Sequence, residues 1–402
     1  MLRPPESEVT ADEIVVRAAA MRDGLREDAV AAAERGSSSA EHHEAFREAG
    51  FYRILQPRRY GGYQFGMDTF LRVIAEIGRG DPGSAWGLCL ASGHALHLAS
   101  FYPEEGQAEL FGPDGEFRCA QRAVPHGQAV PVADGWRVSG RWDYASGITW
   151  STHFMGTVFA PDGQIVVTVP REHVEVLDDW GAGRTIGLNA TGSNTVVLDD
   201  VFVPAHCAVP YDWKEYDPDA HGGSPGFRLH GDPLYIGRIL TFFMAELAAP
   251  MVGAAFAALD EYEHIAATRG TSFPPRMPRT ESSFVQEWLG EAMGCADSAE
   301  ALLLAAAARW TEKGRRWAEH GEPFTVADDA RIREVVQHAA QEVWRGVELM
   351  FRTGGSSAAT RGSRLEAIYR DVSMYRTHIG AQYAATATSA ARAHLGLPFT
   401  GI

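Results

Sequence analysis

The chain has 402 residues, of which 45% are hydrophobic and 22% are charged, an ordinary balance for a globular protein with a large buried core. Its formal net charge is −16. A surplus of acidic residues spread along the chain argues against nucleic acid and anionic membranes as main partners, because both attract basic surfaces.

Cysteine usage and the N-terminus bear on the cellular compartment. The four cysteines lie far apart and form no CxxC pair, so neither a zinc site nor a disulfide framework is expected. The first 28 residues carry charges throughout and lack the apolar core of a signal peptide. No run of about 18 apolar residues is present, so no membrane span is expected. We therefore expect a cytoplasmic protein.

Residues 10–112 show the apolar spacing of helices, and we predict an N-terminal helical domain over residues 1–116. Thr10 and Glu13 have the spacing of a capping box at the start of a first long helix, which Gly36 closes. Asp81 and Pro82 open a later helix in the same way. The adjacent histidines of "EHHE" at 41–44 are not a turn apart, so no metal site is predicted there.

Residues 117–210 change to a period of two. Short apolar runs alternate with Gly, Pro and Asp, which predicts a central antiparallel β domain. Residues 211–233 form a polar stretch rich in Gly and Pro, long enough to suggest a lid or a mobile segment.

Residues 234–402 return to long helical patterns with short connections, which predicts a C-terminal four-helix bundle. Alanine and glycine recur at close intervals in the first of these helices, so neighbouring helices can approach closely. The last predicted helix runs over residues 363–396 and contains "RLEAIYRDVSMYRTHIGAQ".

Three motifs occur in the same order as in a known family. They are "PRRYGG" at 57–62, "GSNTVVLDDVFVP" at 192–204 and "RTGGSSAATRGSRLEAIYRD" at 352–371. Together with the α–β–α order, they resemble the acyl-CoA dehydrogenase fold across nearly the whole chain. The resemblance implies an α+β fold, and it implies a homotetramer in which each flavin touches more than one subunit.

The departures from that family point to a different reaction. Many acyl-CoA dehydrogenases have a glutamate base where this chain has Ile379, with His378 just before it. Where dehydrogenases write Trp-Ile-Thr-Asn beside the flavin, this chain has the four residues 144–147, "YASG". These changes resemble the flavin-dependent monooxygenases of the same fold. Those are oxygenase components of two-component systems, similar to the 4-hydroxyphenylacetate hydroxylases.

That resemblance implies a reaction and its partners. A separate flavin reductase would supply reduced FAD or FMN, and O2 would be the co-substrate. A C4a-hydroperoxyflavin would then hydroxylate a phenolic or polycyclic aromatic substrate. The chain shows no Gly-x-Gly-x-x-Gly after a strand, so it has no nicotinamide-binding unit of its own.

The resemblance and the chemistry nominate three catalytic residues. Ser146 can accept a hydrogen bond from the N5–H of the flavin, since a hydroxyl has two lone pairs. His378 is the expected donor to the forming peroxide, because on a continuous helix it points about 100° away from Ile379. His94 is the expected base for the phenol, because a histidine titrates near the working pH.

A further set is expected to bind the cofactor. Trp86 would face flavin and substrate, and Tyr144, Thr191 and Ser193 would lie where the β domain closes on the ring. Arg269 would meet the flavin phosphates, since an arginine fork suits a phosphate. Gly354 and Gly355 would form the turn that approaches the same region from another subunit.

Three alternatives remain open from the sequence. The first is N-oxidation of an amino sugar or S-oxidation of a thiophene-like ring on the same fold. The second is an acyl-CoA dehydrogenase whose base has moved elsewhere. The third is a non-catalytic scaffold that has kept the frame.

Overall fold

The structure is a computed structural model, and it describes residues 4, 6, 8–181, 183–272 and 274–398. The extreme ends of the first and last predicted domains therefore lie outside the described residues. The division of the chain into domains stays a prediction. The N-terminal part contains six helices among these residues, which are α1 (Ala11–Ala20), α2 (Arg22–Arg35), α3 (Ala40–Glu48), α4 (Met67–Gly80), α5 (Pro82–Phe101) and α6 (Glu104–Phe111).

The local start and stop signals of these helices are confirmed. Thr10 and Glu13 form the reciprocal capping box of α1, and Gly36 ends α2 in a left-handed conformation. The first predicted helix is nevertheless two helices. The chain turns at Met21, whose N–H bonds back to the carbonyls of Ala18 and Ala19. The apolar spacing continues across Met21, so the sequence pattern gives no sign of the turn.

Helix α5 is a core helix that is buried on nearly every side. The side chain of Asp81 accepts a hydrogen bond from the N–H of Ser84 at 2.8 Å and so caps its N-terminus. The helix packs against α4, against the sheet and against a long C-terminal helix. Its position in the middle of the molecule brings Trp86 and His94 into the interior.

The central part is one mixed sheet. Its strands are β1 (Cys119–Arg122), β2 (Gln128–Val132), β3 (Gly135–Trp142), β4 (His153–Ala160), β5 (Gly163–Pro170), β6 (Glu175–Val176), β7 (Val196–Pro204) and β8 (Ala208–Pro210). They follow the order β6-β7-β3-β2-β4-β5-β8, with β1 paired to β4.

The expected antiparallel arrangement needs a correction at β4. Most pairings are antiparallel, but β1 and β2 both run parallel to β4, with Cys119 opposite His153 and Gln128 opposite Phe159. A period of two shows which side chains share a face of a strand, but it does not carry the direction of the neighbouring strand.

The segment 211–233 contains two short helices, α7 (Pro218–His221) and α8 (Pro225–His230). Helix α8 lies directly on α5, because a Cβ at Gly226 would overlap the carbonyl oxygen of Ala99. Trp213 is buried against α5 and the C-terminal helices. In this state the segment is packed onto the core, and its expected role as a lid stays a prediction.

The C-terminal part consists of α9 (Leu240–Thr268), α10 (Ser283–His320), α11 (Val326–Gly354), α12 (Arg364–Tyr375) and α13 (Tyr383–His394). Glycine allows α4 and α9 to touch by their backbones. A Cβ at Gly253 would overlap the carbonyl oxygen of Ala75, and one at Gly78 would lie 2.6 Å from that of Pro250. The expected close approach of these helices is confirmed.

The predicted last helix is interrupted. Residues 376–382 leave the helix, with a 3-10 turn at Ile379–Ala381, and α13 begins afterwards. His378 has an extended backbone (φ −73°, ψ 148°), and its ring nitrogen accepts a hydrogen bond from the N–H of Gly380. The assumption that His378 and Ile379 are neighbours on one helix was wrong.

Helix α9 is long and apolar enough to cross a membrane by length and composition, although the sequence pattern suggested no such segment. Within its most apolar window, 89% of the residues are buried inside the fold. Its place among α4, α5, α10 and α11 is that of a core helix.

Candidate active site

A pocket of about 330 Å³ opens between α5, two loops of the sheet and the segment that follows α12. Its volume is in the range of small-molecule sites. The lining combines three aromatic side chains with hydroxyls, one arginine and one histidine; it consists of Trp86, Arg122, Val124, Tyr144, Ser146, Trp180, Leu188, Thr191, Ser193, Met374, Thr377, His378 and Ile379. Six of the ten residues singled out from the sequence therefore meet here.

Hydroxyl groups form a directed chain along one wall of the pocket. Trp86 Nε1–H donates to Ser146 Oγ at 3.2 Å, Ser146 and Ser193 are 2.6 Å apart, and so are Ser193 and Thr191. Thr191 donates its proton to the carbonyl of Leu188 at 2.9 Å. Each hydroxyl has one proton, so Ser146 donates to Ser193 and Ser193 donates to Thr191. Ser146 keeps one lone pair with which it can accept a donor from the pocket.

His378 lies across the pocket from this wall, with its ring edge-on to Trp86 at 5.4 Å between centroids. Its Nδ1 accepts from the N–H of Gly380 at 3.0 Å, so the ring proton sits on Nε2. Burial, assisted by the positive charge of Arg122, lowers the pKa of His378 to about 4. His378 is therefore a neutral imidazole at physiological pH with an N–H to donate.

His94 is not part of this pocket. It lies two turns beyond Trp86 on α5, about 12 Å further along the helix. Its Nδ1 donates to the carbonyl of Cys119 at 2.6 Å, and its ring packs edge-on against Phe243. Burial lowers the pKa of His94 to about 4, so the expectation that it titrates near neutral pH does not hold in this state.

Arg269, Gly354 and Gly355 come together at a different place, near the C-terminal end of α9. Arg269 hydrogen-bonds to Ser357, and Arg279 donates to the carbonyl of Gly354 at 3.0 Å. The pocket end of α9 is marked by Leu247, which contacts the 3-10 turn after His378. Arg269 lies 22 residues further along this helix, a distance of about 33 Å along the axis. One chain therefore does not bring these three residues to the pocket.

Among the pocket residues that were not predicted, Arg122 and Trp180 bring a charge and a large aromatic surface. Arg122 is the last residue of β1, and Trp180 packs edge-on against Tyr144 at 5.5 Å between centroids. Arg122 ends one short strand and Trp180 follows another, and neither stands in a recognisable motif. The sequence carries no signal that would separate them from their neighbours.

Asp371, the last residue of the "IYRD" motif, supports the pocket by a hydrogen bond to the backbone of a lining residue. Asp371 accepts a hydrogen bond from the N–H of Leu188 at 2.6 Å, and Leu188 has a positive φ of 54°. The carboxyl thus holds a turn that a non-glycine residue adopts only when its surroundings fix it. Thr191, which closes the hydroxyl chain, lies three residues further on.

No Asp or Glu lines the pocket in the part of the chain that the structure describes. Ile379 stands at the position of the dehydrogenase base, and it is 49% exposed. Removal of a proton from the α-carbon of an acyl thioester has no carboxylate here to perform it. The alternative of a dehydrogenase with a relocated base therefore finds no support in the pocket.

The pocket does suit a flavin ring. Trp86, Trp180 and Tyr144 offer aromatic surface for a planar ring system, and Ser146 and His378 offer an acceptor and a donor. Arg122 adds a positive charge at the wall, and its Nε has no hydrogen-bond partner among the residues that the structure describes. These donor and acceptor types match the edge of an isoalloxazine, which carries N–H groups, ring nitrogens and carbonyl oxygens.

One grouping elsewhere brings three possible metal-ligand atoms within 4.8 Å, those of Glu109, His206 and Cys207. His206 Nε2 lies 2.6 Å from a carboxylate oxygen of Glu109, and Cys207 Sγ lies 3.6 Å from the other. These contacts join α6 to the 3-10 turn that follows β7.

Similar proteins share the fold over the whole chain. The family description "Acyl-CoA dehydrogenase, C-terminal domain" matches residues 245–383. The flavin-dependent monooxygenase oxygenase subunit HsaA of Rhodococcus jostii (strain RHA1) is 28% identical over 365 residues, which cover 89% of this chain and 91% of the relative. The oxygenase component of the FADH(2)-dependent resorcinol hydroxylase of Rhizobium sp. (strain MTP-10005) is 28% identical over 397 residues, with 96% and 94% covered.

A crystal structure of 3-HSA hydroxylase from Rhodococcus sp. RHA1 has a TM-score of 0.85 and 25% identity, and the match covers 96% of this chain and 98% of that one. The α+β fold expected from the resemblance is confirmed. The frame is that of acyl-CoA dehydrogenases, the carboxylate base is missing, and the relatives that match along their length are oxygenases. We conclude that the chain has the acyl-CoA dehydrogenase fold and that the relatives matching it along their length are named as oxygenase components of flavin-dependent monooxygenases.

Proposed function

We propose that the chain is the oxygenase component of a two-component flavin-dependent monooxygenase, that it hydroxylates a phenol or a related, possibly polycyclic, aromatic compound, and that its reaction takes place in the pocket between Ser146 and His378. The observation that carries the proposal is the pairing of an acceptor and a neutral donor across an aromatic pocket without a carboxylate. The names of the relatives, among them a resorcinol hydroxylase and a p-hydroxyphenylacetate 3-hydroxylase, support this class of substrate.

Bound reduced flavin supplies the electrons that activate O2 for transfer of one oxygen atom to the substrate. Ser146 would accept a hydrogen bond from a flavin N–H with its remaining lone pair. The direction of the hydroxyl chain prevents Ser146 from turning into a donor at that point, since its proton is committed to Ser193. Trp86, which donates to the same oxygen, fixes the rotamer of the Ser146 side chain. This arrangement orients the flavin and holds its proton in place.

His378 donates from Nε2 to an oxygen atom on the opposite side. Because it is neutral, it can offer a hydrogen bond without releasing a proton to the reacting oxygen. The Gly380 N–H fixes the tautomer and the orientation of the ring. His378 therefore positions and shields this oxygen instead of acting as a strong acid.

His94 remains our candidate base for the phenol, on the condition that the substrate can reach its buried ring. Its Nδ1 is held by the carbonyl of Cys119, so Nε2 is the atom that can accept a proton. The His94 ring is buried and packs against Phe243, so a substrate reaches it only if this part of the core rearranges. A phenolate beside His94 would then raise its pKa from about 4 toward neutral, since a nearby negative charge favours the imidazolium.

The second cluster supports a homotetramer. Because Arg269, Gly354 and Gly355 lie far along α9 from the pocket, they can meet the phosphate or nucleotide end of a flavin only in another subunit. Phe284, which is 66% exposed, lines a groove of about 660 Å³ together with Arg279 and Gly355. An exposed aromatic side chain in such a groove is typical of a protein interface. Sedimentation should show a tetramer, and a stable monomer at micromolar concentration would contradict this assignment.

A cytoplasmic location and a separate flavin reductase complete the proposal. All four cysteines are buried and unpaired, as is usual in a reducing compartment. The reductase passes free reduced flavin, so the oxygenase has to bind that form from solution.

Single-turnover chemistry tests the proposal. The protein is loaded anaerobically with chemically reduced FAD or FMN and mixed with oxygenated buffer and a panel of phenols. We expect a product that has gained one oxygen atom, and less H2O2 than free reduced flavin releases. Reduced flavin that binds but yields only H2O2 with every phenol would contradict the substrate class. Failure to bind reduced flavin would contradict the whole assignment and favour a scaffold.

A further inference from the structure

Arg122 stands out among the interior arginines because it has no partner. Its Nε is buried without a hydrogen bond, and its guanidinium makes no ion pair with any residue in the described ranges. Burial lowers the pKa of Arg122, which is the sign of a cation kept from water. The other well-buried arginines are all engaged, with a carboxylate or with backbone carbonyls; they are Arg238, Arg333 and Arg364.

The nearest acid does not neutralise Arg122. Asp143 acts on the guanidinium only through space, while its carboxylate accepts from Thr195 Oγ1 at 3.0 Å and lies 3.5 Å from Arg141 Nε. His378 on the other side is neutral. The pocket therefore contains one uncompensated positive charge and no negative charge in the region described. Arg122 is half-buried, and an unpaired cation held partly away from water is costly, so a charge facing an aromatic pocket points to an anionic ligand.

We infer that Arg122 binds the anionic pyrimidine edge of reduced flavin, N1 and the adjacent C2 carbonyl, and so makes the pocket selective for the reduced over the oxidised cofactor. This inference rests on the proposed location of the flavin ring in the pocket. Reduction puts a negative charge on that edge near neutral pH, whereas the oxidised ring is neutral. An arginine fork can donate two parallel hydrogen bonds to the N1–C2=O edge.

A ring site fits Arg122 better than a phosphate site. Its neighbours in the pocket are aromatic side chains and the hydroxyl chain, which suit a planar heterocycle. A flavin phosphate carries the same charge in both redox states, so binding it would give no selectivity between them. The two assignments therefore predict different binding ratios.

Anaerobic titration of flavin binding distinguishes these cases. Oxidised and reduced FMN, and oxidised and reduced riboflavin, are titrated into the wild type, Arg122→Met, Arg122→Lys and the control Arg137→Met, which removes an exposed arginine of β3. Hydrogen bonds to a charged group correspond to roughly 10- to 100-fold in affinity. We expect Arg122→Met to weaken reduced-flavin binding by about that factor and to leave the oxidised form nearly unchanged, with Arg122→Lys in between.

The outcomes separate the inference from the proposed function. Equal weakening of both redox states of FMN, with riboflavin unaffected, would assign Arg122 to the phosphate and overturn the inference. Wild type that binds neither redox state would instead overturn the proposed function. If Arg122→Met does not fold, the wild type alone still tests whether Arg122 stabilises the anionic flavin. Its bound reduced flavin should remain the anion at a pH where free reduced flavin is protonated, as seen in the absorbance spectrum, and protonation at the same pH as free flavin would refute the role.

Discussion

Replacing His378 by Asn should make stability less dependent on pH, and the size of the effect follows from the buried imidazole. The pKa of His378 in the folded protein is about 4, against about 6.5 for an exposed histidine. Because the folded-state pKa is lower, the unfolded chain binds more protons between these values. Stability is therefore fully present above about pH 6.5 and is lost as the pH falls toward 4.

The difference between the folded-state and unfolded-state pKa of His378 gives the size of the effect on stability. Relative to pH 7.5, the His378 contribution falls by about 1.4 kcal/mol at pH 5.5 and by about 2.5 kcal/mol at pH 4.5. These two values are upper limits, because the His378 ring is partly exposed and solvent weakens the effect. Asn at this position retains an oxygen that can accept from the N–H of Gly380, so the turn after α12 keeps its hydrogen bond.

Urea unfolding at pH 7.5, 6.5 and 5.5 measures the effect as the difference between wild type and His378→Asn. The difference should shift in favour of the variant by up to about 1.4 kcal/mol between the highest and lowest pH. Other buried histidines contribute equally to both proteins and cancel. His394→Asn, at the exposed end of α13, controls for the substitution itself. A difference that stays constant with pH would refute the assignment of His378 as a neutral donor.

Three other predictions have defined outcomes. Gly253→Ala should lower the free energy of unfolding by about 1–3 kcal/mol, since its Cβ would overlap α4. Gly24→Ala, whose Cβ would make only an ordinary contact with His42, should raise it by up to about 1 kcal/mol, and urea melts compare the two. Asp371→Asn should become progressively more stable than the wild type from pH 5 to pH 8 in thermal melts, because burial raises the pKa of Asp371 to about 7 and its ionisation opposes folding; a pH-independent difference would contradict this. Ser146→Ala should leave the Trp86 N–H unpaired, cost about 1–3 kcal/mol and increase the H2O2 released per flavin oxidised; unchanged H2O2 yield would remove Ser146 from the site.

Local signals in the sequence were reliable where the stabilising interaction is itself local. The capping box of Thr10 and Glu13 and the start of α5 at Asp81 depend on residues within one turn, so the sequence contains the whole interaction. The close contact of α4 and α9 was also predictable, because only small residues permit it. The directions of β1 and β2 were not, since strand pairing depends on residues far apart in the chain.

The site was predicted in part, and the failures have a common cause. Ser146, Ser193, Thr191 and Trp86 could be named because they stand in motifs, and the structure brings them into one hydrogen-bonded chain. The break after α12 and the distance of His94 from the pocket depend on tertiary packing.

Arg122 is the converse case, a candidate residue that the sequence analysis did not single out. An arginine at the end of a strand is ordinary in a sequence, and only the absence of a partner in the folded interior makes it a candidate. Burial and pairing are properties of the whole structure, so no local pattern reports them.

The most direct test is a crystal structure of the protein with reduced flavin, obtained without oxygen. The flavin ring should lie among Trp86, Ser146 and His378, with a ring nitrogen within hydrogen-bonding distance of Ser146 Oγ and the N1–C2=O edge at Arg122. His378 Nε2 should face the reacting side of the ring. A flavin bound elsewhere, or one whose ring leaves Ser146 and His378 without contact, would contradict the proposed active site.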